Sequence, residues 1–125
     1  MNDSTPRQPV IGVVGLGSMG YGAAVSAHRR GFVTWGTDPR AEARERFAAD
    51  GGRVTDSLPE LAAACDVVVV LVVNAAQTEA VLFGGDGLAL HLRPGSVVVA
   101  SATVDPALPP QWESRLADRG LHLID

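Results

Sequence analysis

Lysine is missing from this chain, and its ten basic residues are all arginine. A reaction that needs an ammonium group as acid, base or Schiff-base partner has no candidate among these residues. Cysteine is nearly missing too. Cys65 alone can form neither an internal disulfide nor a structural zinc site, and it fits a reducing, cytoplasmic compartment. Its place before an apolar run reads as a small buried hydrophobe. His28, His91 and His122 share no metal-ligand spacing, so each reads as a surface or helix-end residue and no metal site is expected. Aromatic residues make up 5% of the chain, and Trp35 and Trp112 have no basic cluster beside them. With a net charge of −4, the chain presents no case for nucleic acid or an anionic membrane as partner. No apolar run is long enough for a signal peptide or a membrane span. Residues 1–9, "MNDSTPRQP", are polar and read as a loose arm.

What is present is an ordinary globular balance: 46% hydrophobic and 19% charged over 125 residues, enough for one domain with one core. Residues 10–14 are all apolar or glycine and rich in β-branched side chains, as in a strand buried on both faces. Residues 18–30 carry Ala23, Ala24 and Ala27 at helical spacing beside Val25. Arg29 and Arg30 oppose the helix dipole in the last turn, and Gly31 is the stop. Residues 32–37 predict a second strand. "PRAEARERFAAD" predicts a helix with Pro39 near its first position, ending at Gly51 and Gly52. Val54 and Thr55 predict a short third strand. Ser57 and Glu60 have capping-box spacing and start a helix over "SLPELAAAC". "DVVVVLVV", residues 66–73, is the strongest strand and, by its continuous apolarity, a central parallel one. "AQTEAVLF" then predicts a helix, "SVVVA" a fifth strand, residues 101–106 a loop, "QWESRLADRG" a helix ended by Gly120, and "LHLI" a sixth strand. Such alternation implies right-handed crossovers and a doubly wound α/β domain, a parallel sheet of about six strands in the Rossmann manner, over residues 10–125.

The chemistry-bearing stretch is "GLGSMG". Gly15, Gly17 and Gly20 satisfy G-x-G-x-x-G directly after a strand and at the opening of a helix, the context in which the motif carries meaning. Gly15 permits the sharp turn, Gly17 lets backbone approach a pyrophosphate, and Gly20 lets helix and strand pack closely. The helix N-terminus adds unpaired N–H groups and the positive end of its dipole. Ser18 either touches phosphate through its N–H or hydroxyl or serves as an ordinary helix-start residue. Asp38 stands at the end of the second strand, where a carboxylate accepts both hydroxyls of an adenosine ribose and repels a 2′-phosphate. Its other reading is a helix start with Pro39. Arg40, two residues on, has two readings, a partner for a 2′-phosphate and, the one expected here, a side chain on the first helical turn that points to solvent. NAD is therefore favoured over NADP.

These residues resemble a known family. "IGVVGLGSMGYGAAVSAHRRG" is similar to the N-terminal fingerprint of the β-hydroxyacid dehydrogenases, which include 3-hydroxyisobutyrate and tartronate semialdehyde dehydrogenases and are related to 6-phosphogluconate dehydrogenase. Met19 falls on the methionine of the family's G-x-G-x-M-G. "LVVNAAQTEAVLFGGDGL" resembles the segment after the fourth strand, and "SATVDP" the family's S-x-T-[IV]-x-P loop. "TWGTD" and "LVVNAAQ" look most like the L-threonate dehydrogenase branch. The resemblance implies that Gly15, Leu16, Gly17, Ser18, Met19 and Gly20 cradle the pyrophosphate and that Asp38 binds the ribose. Val73 and Asn74 would line the loop after strand four, with Thr103 beside the nicotinamide ribose. Val73 has a second reading as core, and Asn74 departs from the proline- or threonine-rich versions of other branches.

The family continues after its sixth strand with D-A-P-V-S-G-G, whose first letter coincides with Asp125, and its catalytic lysine and all-helical second domain come later still. The resemblance thus implies a dinucleotide-binding domain that holds NAD while these residues supply no catalytic group, inside an enzyme oxidising a β-hydroxy acid. A small hydroxy acid would bind only in a longer parent, and a homo-oligomer is left open. Two other functions remain: an NADPH-dependent semialdehyde or imine reductase domain, and a standalone nucleotide-binding module.

Overall fold

A computed structural model describes residues 7–100 and 105–124. Among them, six strands alternate with helices: β1 (Ile11–Val14), α1 (Ser18–Arg29), β2 (Thr34–Thr37), α2 (Ala41–Ala49), β3 (Arg53–Val54) and α3 (Leu58–Ala64). There follow β4 (Val67–Val70), α4 (Ala75–Phe83), α5 (Leu88–His91), β5 (Val97–Ala100), α6 (Leu108–Ala117) and β6 (His122–Ile124). All neighbouring strands are parallel, in the order β3-β2-β1-β4-β5-β6. The doubly wound parallel sheet is as expected, and its order reverses direction between β1 and β4.

Several boundaries differ from the sequence expectation for identifiable reasons. The second strand starts at Thr34 because Phe32 still belongs to the end of α1: its N–H bonds to Ala27 O, and Gly31, at φ +93°, turns the chain out of the helix. The fourth strand stops at Val70 although apolarity runs to Val73, because beyond the Leu71 N–H bond to Val14 O the chain leaves the sheet. Pro39 is not the first residue of α2; Arg40 is the N-cap, in extended conformation, and Pro39 precedes it. Only half of the capping box is made, with Ser57 Oγ accepting from Glu60 N–H at 3.2 Å. The Ser57 N–H instead donates to Thr55 Oγ1 at 3.0 Å. The short α5 has no counterpart in the sequence reading.

The core has two parts. One gathers Leu61, Cys65, Val68, Val70, Leu82, Leu88, Val98, Trp112 and Leu116; the other gathers Val13, Leu16, Ala24, Val25 and Phe47. Gly12 is needed for the first, because a Cβ there would stand 2.8 Å from Cys65 Sγ and from Leu61. The arm's last residues are tied at one point: Asp66 accepts from the Val10 N–H at 2.8 Å and pairs with Arg7 and Arg93. That Val10 bond, aided by the two arginines, holds the Asp66 carboxyl below its ordinary range against the cost of burial. Residues 1–6 of the arm, residues 101–104 and Asp125 lie outside the described residues.

Candidate functional site

At the C-terminal edge of the sheet, where β1 and β4 diverge, lies a cleft of about 710 Å³. Clefts of this kind open at the reversal point of a parallel sheet because the connections on either side leave in opposite directions. Its floor is the glycine turn. Gly15 has φ +98°, and a Cβ there would stand 2.3 Å from Leu71 O, so only glycine fits. Its N–H bonds to Thr37 O at 2.9 Å, wedging the turn between the ends of β2 and β4. At Gly20 a Cβ would lie 1.6 Å from Gly15 O, so this glycine seats α1 against the turn. Gly17 is different. Its φ of −70° suits any residue, and a Cβ would meet nothing closer than Arg40 Nη2 at 3.9 Å. The protein's own packing leaves that space open. Gly17 is also the N-cap of α1, so the positive end of the helix stands at the cleft with no capping side chain and no acidic residue in its own first turn.

Asp38 forms one wall and is 6% exposed. Its Oδ2 accepts from the Leu16 N–H at 2.8 Å, and Oδ1 accepts from the Arg40 N–H at 2.9 Å. The Arg40 guanidinium forks onto both oxygens, Nε to Oδ1 at 3.0 Å and Nη2 to Oδ2 at 3.2 Å. Arg40 therefore does not point to solvent as expected from sequence; it folds back onto Asp38, and the charge pair holds it there. Burial alone would push the Asp38 carboxyl up, but the bonds from Arg40 and Leu16 and the Arg40 charge bring it down to about 2. Arg44 Nη1 donates to the Asp38 carbonyl at 2.7 Å.

The opposite wall is Leu71, Val72 and Val73 with Gln77, Ala80 and Val81 of α4, and Asp56 and Leu58 also line the cleft. Of the residues expected from sequence, Gly15, Gly17, Asp38 and Val73 line it together. Val73 is 85% exposed, so it is a rim residue rather than core. Leu16 contributes its N–H, while its side chain is buried with Phe47. Ser18 and Met19 are exposed on the first turn of α1 and are not among the lining residues. Asn74 is committed locally: its Oδ1 accepts from the Gln77 N–H at 2.9 Å as the cap of α4. Gln77 in turn receives the Val73 N–H on Oε1 at 2.8 Å. Thr103 lies outside the described residues. Sequence reasoning missed Asp56, Leu58, Val72 and Gln77; their one signal was position, just beyond the carboxyl end of a parallel strand or on the helix that follows.

Elsewhere, burial and the neighbouring Asp66 push the Cys65 thiol up to about 12, which leaves it unreactive. Among the described residues no group of three or more histidine, cysteine, aspartate or glutamate side chains gathers as a metal site, and no helix is long and apolar enough to cross a membrane.

Residues 10–125 match the family described as the NAD binding domain of 6-phosphogluconate dehydrogenase. The chain is 51% identical over 115 residues to the L-threonate dehydrogenase of Cupriavidus necator, covering 92% of this chain and 39% of that protein. It is 43% identical over 116 residues to the L-threonate dehydrogenase of Escherichia coli K12, covering 92% and 38%. The crystal structure of a 3-hydroxyisobutyrate dehydrogenase from Salmonella typhimurium superposes with a TM-score of 0.85 at 42% identity, covering 90% of this chain and 39% of that one. The chain thus spans about two fifths of the length of the curated relatives it matches.

Proposed function

The chain belongs to the family of the NAD binding domain of 6-phosphogluconate dehydrogenase, and on that premise we propose that its cleft holds NAD for the oxidation of a β-hydroxy acid such as L-threonate or 3-hydroxyisobutyrate. Residues 10–125 are, in this reading, one dinucleotide-binding domain preceded by an arm over residues 1–9. Gly17 carries the assignment. It is a glycine whose conformation and surroundings within the protein would admit a side chain, so the space it keeps open is space for a ligand. The uncapped N-terminus of α1 suits the charge of a pyrophosphate. Asp38 suits a ribose diol and disfavours a 2′-phosphate, which supports NAD over NADP. Leu16, Ser18, Met19 and Gly20 complete the turn around the phosphates, Val73 and Asn74 stand toward the nicotinamide side, and Thr103 is assigned to its ribose. The nicotinamide ring, when bound, supplies the hydride acceptor. The residues of this chain bind and orient it; the acid/base group comes from outside these 125 residues, which contain no lysine. The substrate is a small hydroxy acid met in a longer protein, working in the cytoplasm, with neither nucleic acid nor membrane as partner.

The test is Gly17→Val, followed by NADH fluorescence and by thermal melting. The account expects NADH affinity to fall by about tenfold or more while stability moves by about 1 kcal/mol or less, since the new side chain fills ligand space and not core. Unchanged NADH affinity in the folded variant contradicts it.

A further inference from the structure

Every acceptor position of the Asp38 carboxylate is taken by a group of the chain itself. Each oxygen receives one backbone N–H, from Leu16 or from Arg40, and one guanidinium N–H of Arg40. A carboxylate has about four such positions in all. The two backbone bonds hold the carboxylate in place against the glycine turn. The guanidinium also reaches the turn, with Nη2 3.9 Å from where a Gly17 Cβ would stand, and both Arg40 and Asp38 line the cleft. A ribose diol brings two O–H donors to one carboxylate, the same number the guanidinium now supplies. Ribose and guanidinium therefore compete for the same two positions.

We propose that the Arg40 guanidinium is a displaceable occupant of the adenosine-ribose position, sealing Asp38 in the free protein and swinging out when the ribose enters. The inference rests on the cofactor reading of this cleft and adds a residue that sets both affinity and specificity. Displacement is sterically cheap, because Arg40 is an N-cap with extended backbone and its side chain is 56% exposed, so side-chain rotation alone clears the position. The pair it breaks joins an exposed guanidinium to a buried carboxylate, and the two ribose hydroxyls take over the acceptor positions it leaves, so no buried acceptor is left unpaired. The released guanidinium stays tethered beside the ribose, where a 2′-phosphate offers it a better partner than water. Arg40 thus has opposite effects on the two nucleotides. It competes with the diol of NAD and recovers part of the repulsion between Asp38 and NADP.

Arg40→Ala and Arg40→Gln test this in the full 125-residue chain, by calorimetric titration with ADP-ribose and with its 2′-phosphate, and with NADH and NADPH. Thermal melting confirms folding, and the glutamine variant keeps a polar side chain that cannot fork onto both oxygens. Expected is a gain of about threefold to tenfold for ADP-ribose and NADH with a loss for the 2′-phosphorylated ligands, so that discrimination widens. Weaker binding of both ligand pairs would show that Arg40 grips the nucleotide, and unchanged binding would show that it is a bystander; either overturns the inference while the cofactor reading stands. Failure of wild type and both variants to bind any of the four ligands overturns both.

Discussion

A Cβ on Gly20 would stand 1.6 Å from the Gly15 carbonyl oxygen, while one on Gly17 would meet only Arg40 Nη2, in ordinary contact at 3.9 Å. The three glycines of one motif therefore answer to different demands, two from the protein's own packing and one, in the function proposed above, from what enters the cleft. Their spacing was legible from sequence, as was the place of Asp38 at the end of β2. The Arg40 fork was not. A residue that reads as the first turn of a helix is expected to face water, but as the N-cap it has an extended backbone, φ −87° and ψ 124°, that turns the side chain back to Asp38. The same bonds make a pH prediction. With its folded carboxyl at about 2 against an ordinary 3.8, Asp38 contributes stability that is fully present above about pH 4 and lost as pH falls through 2. That contribution is on the order of 2 kcal/mol. Chemical unfolding of wild type and Asp38→Asn between pH 2 and pH 6 should show a gap that closes toward the acid end; a gap constant with pH contradicts the assignment.

Along β4, Val68 and Val70 are buried while Val67 and Val69 are half-buried, and β5 repeats the alternation with Val98 and Ala100 against Val97 and Val99. The pattern "DVVVV" conceals this. Continuous apolarity predicts a strand covered on both faces, whereas the helices after β3 cover one face of β4 and β5 more fully than the other. Val68→Ala should cost about 2 kcal/mol, by lost burial and an unfilled space, and Val67→Ala less than about 1 kcal/mol. Equal shifts in denaturation midpoint would show that both faces are equally packed. Helix starts were read well where a cap stood in the sequence, as Ser57 does. The four residues of α5, set among the glycines of "GGDG" and the turn "RPG", offered no periodicity long enough to read.

At the scale of the whole molecule, a parallel, doubly wound sheet follows from alternation and right-handed crossovers, so its architecture was legible from sequence while its strand order and the walls of its cleft were not. The half-buried row Ile11, Val67 and Val97 aligns with the exposed His122 across the sheet, and the exposed Ile124 ends the next row, on the less covered face. The chain spans about two fifths of its curated relatives, and its residues provide a place for cofactor but no ammonium for proton transfer. These 125 residues with NAD should therefore show no oxidation of L-threonate or 3-hydroxyisobutyrate; turnover by the pure polypeptide would mean that another group does the work assigned to an external base. The central claim is that the glycine turn and Asp38 form an NAD site, and it is tested most directly by titrating NADH and NADPH side by side into the wild-type chain in a calorimeter. Saturable 1:1 binding with NADH the tighter ligand is predicted; equal affinities, a preference for NADPH or no binding of either would contradict it.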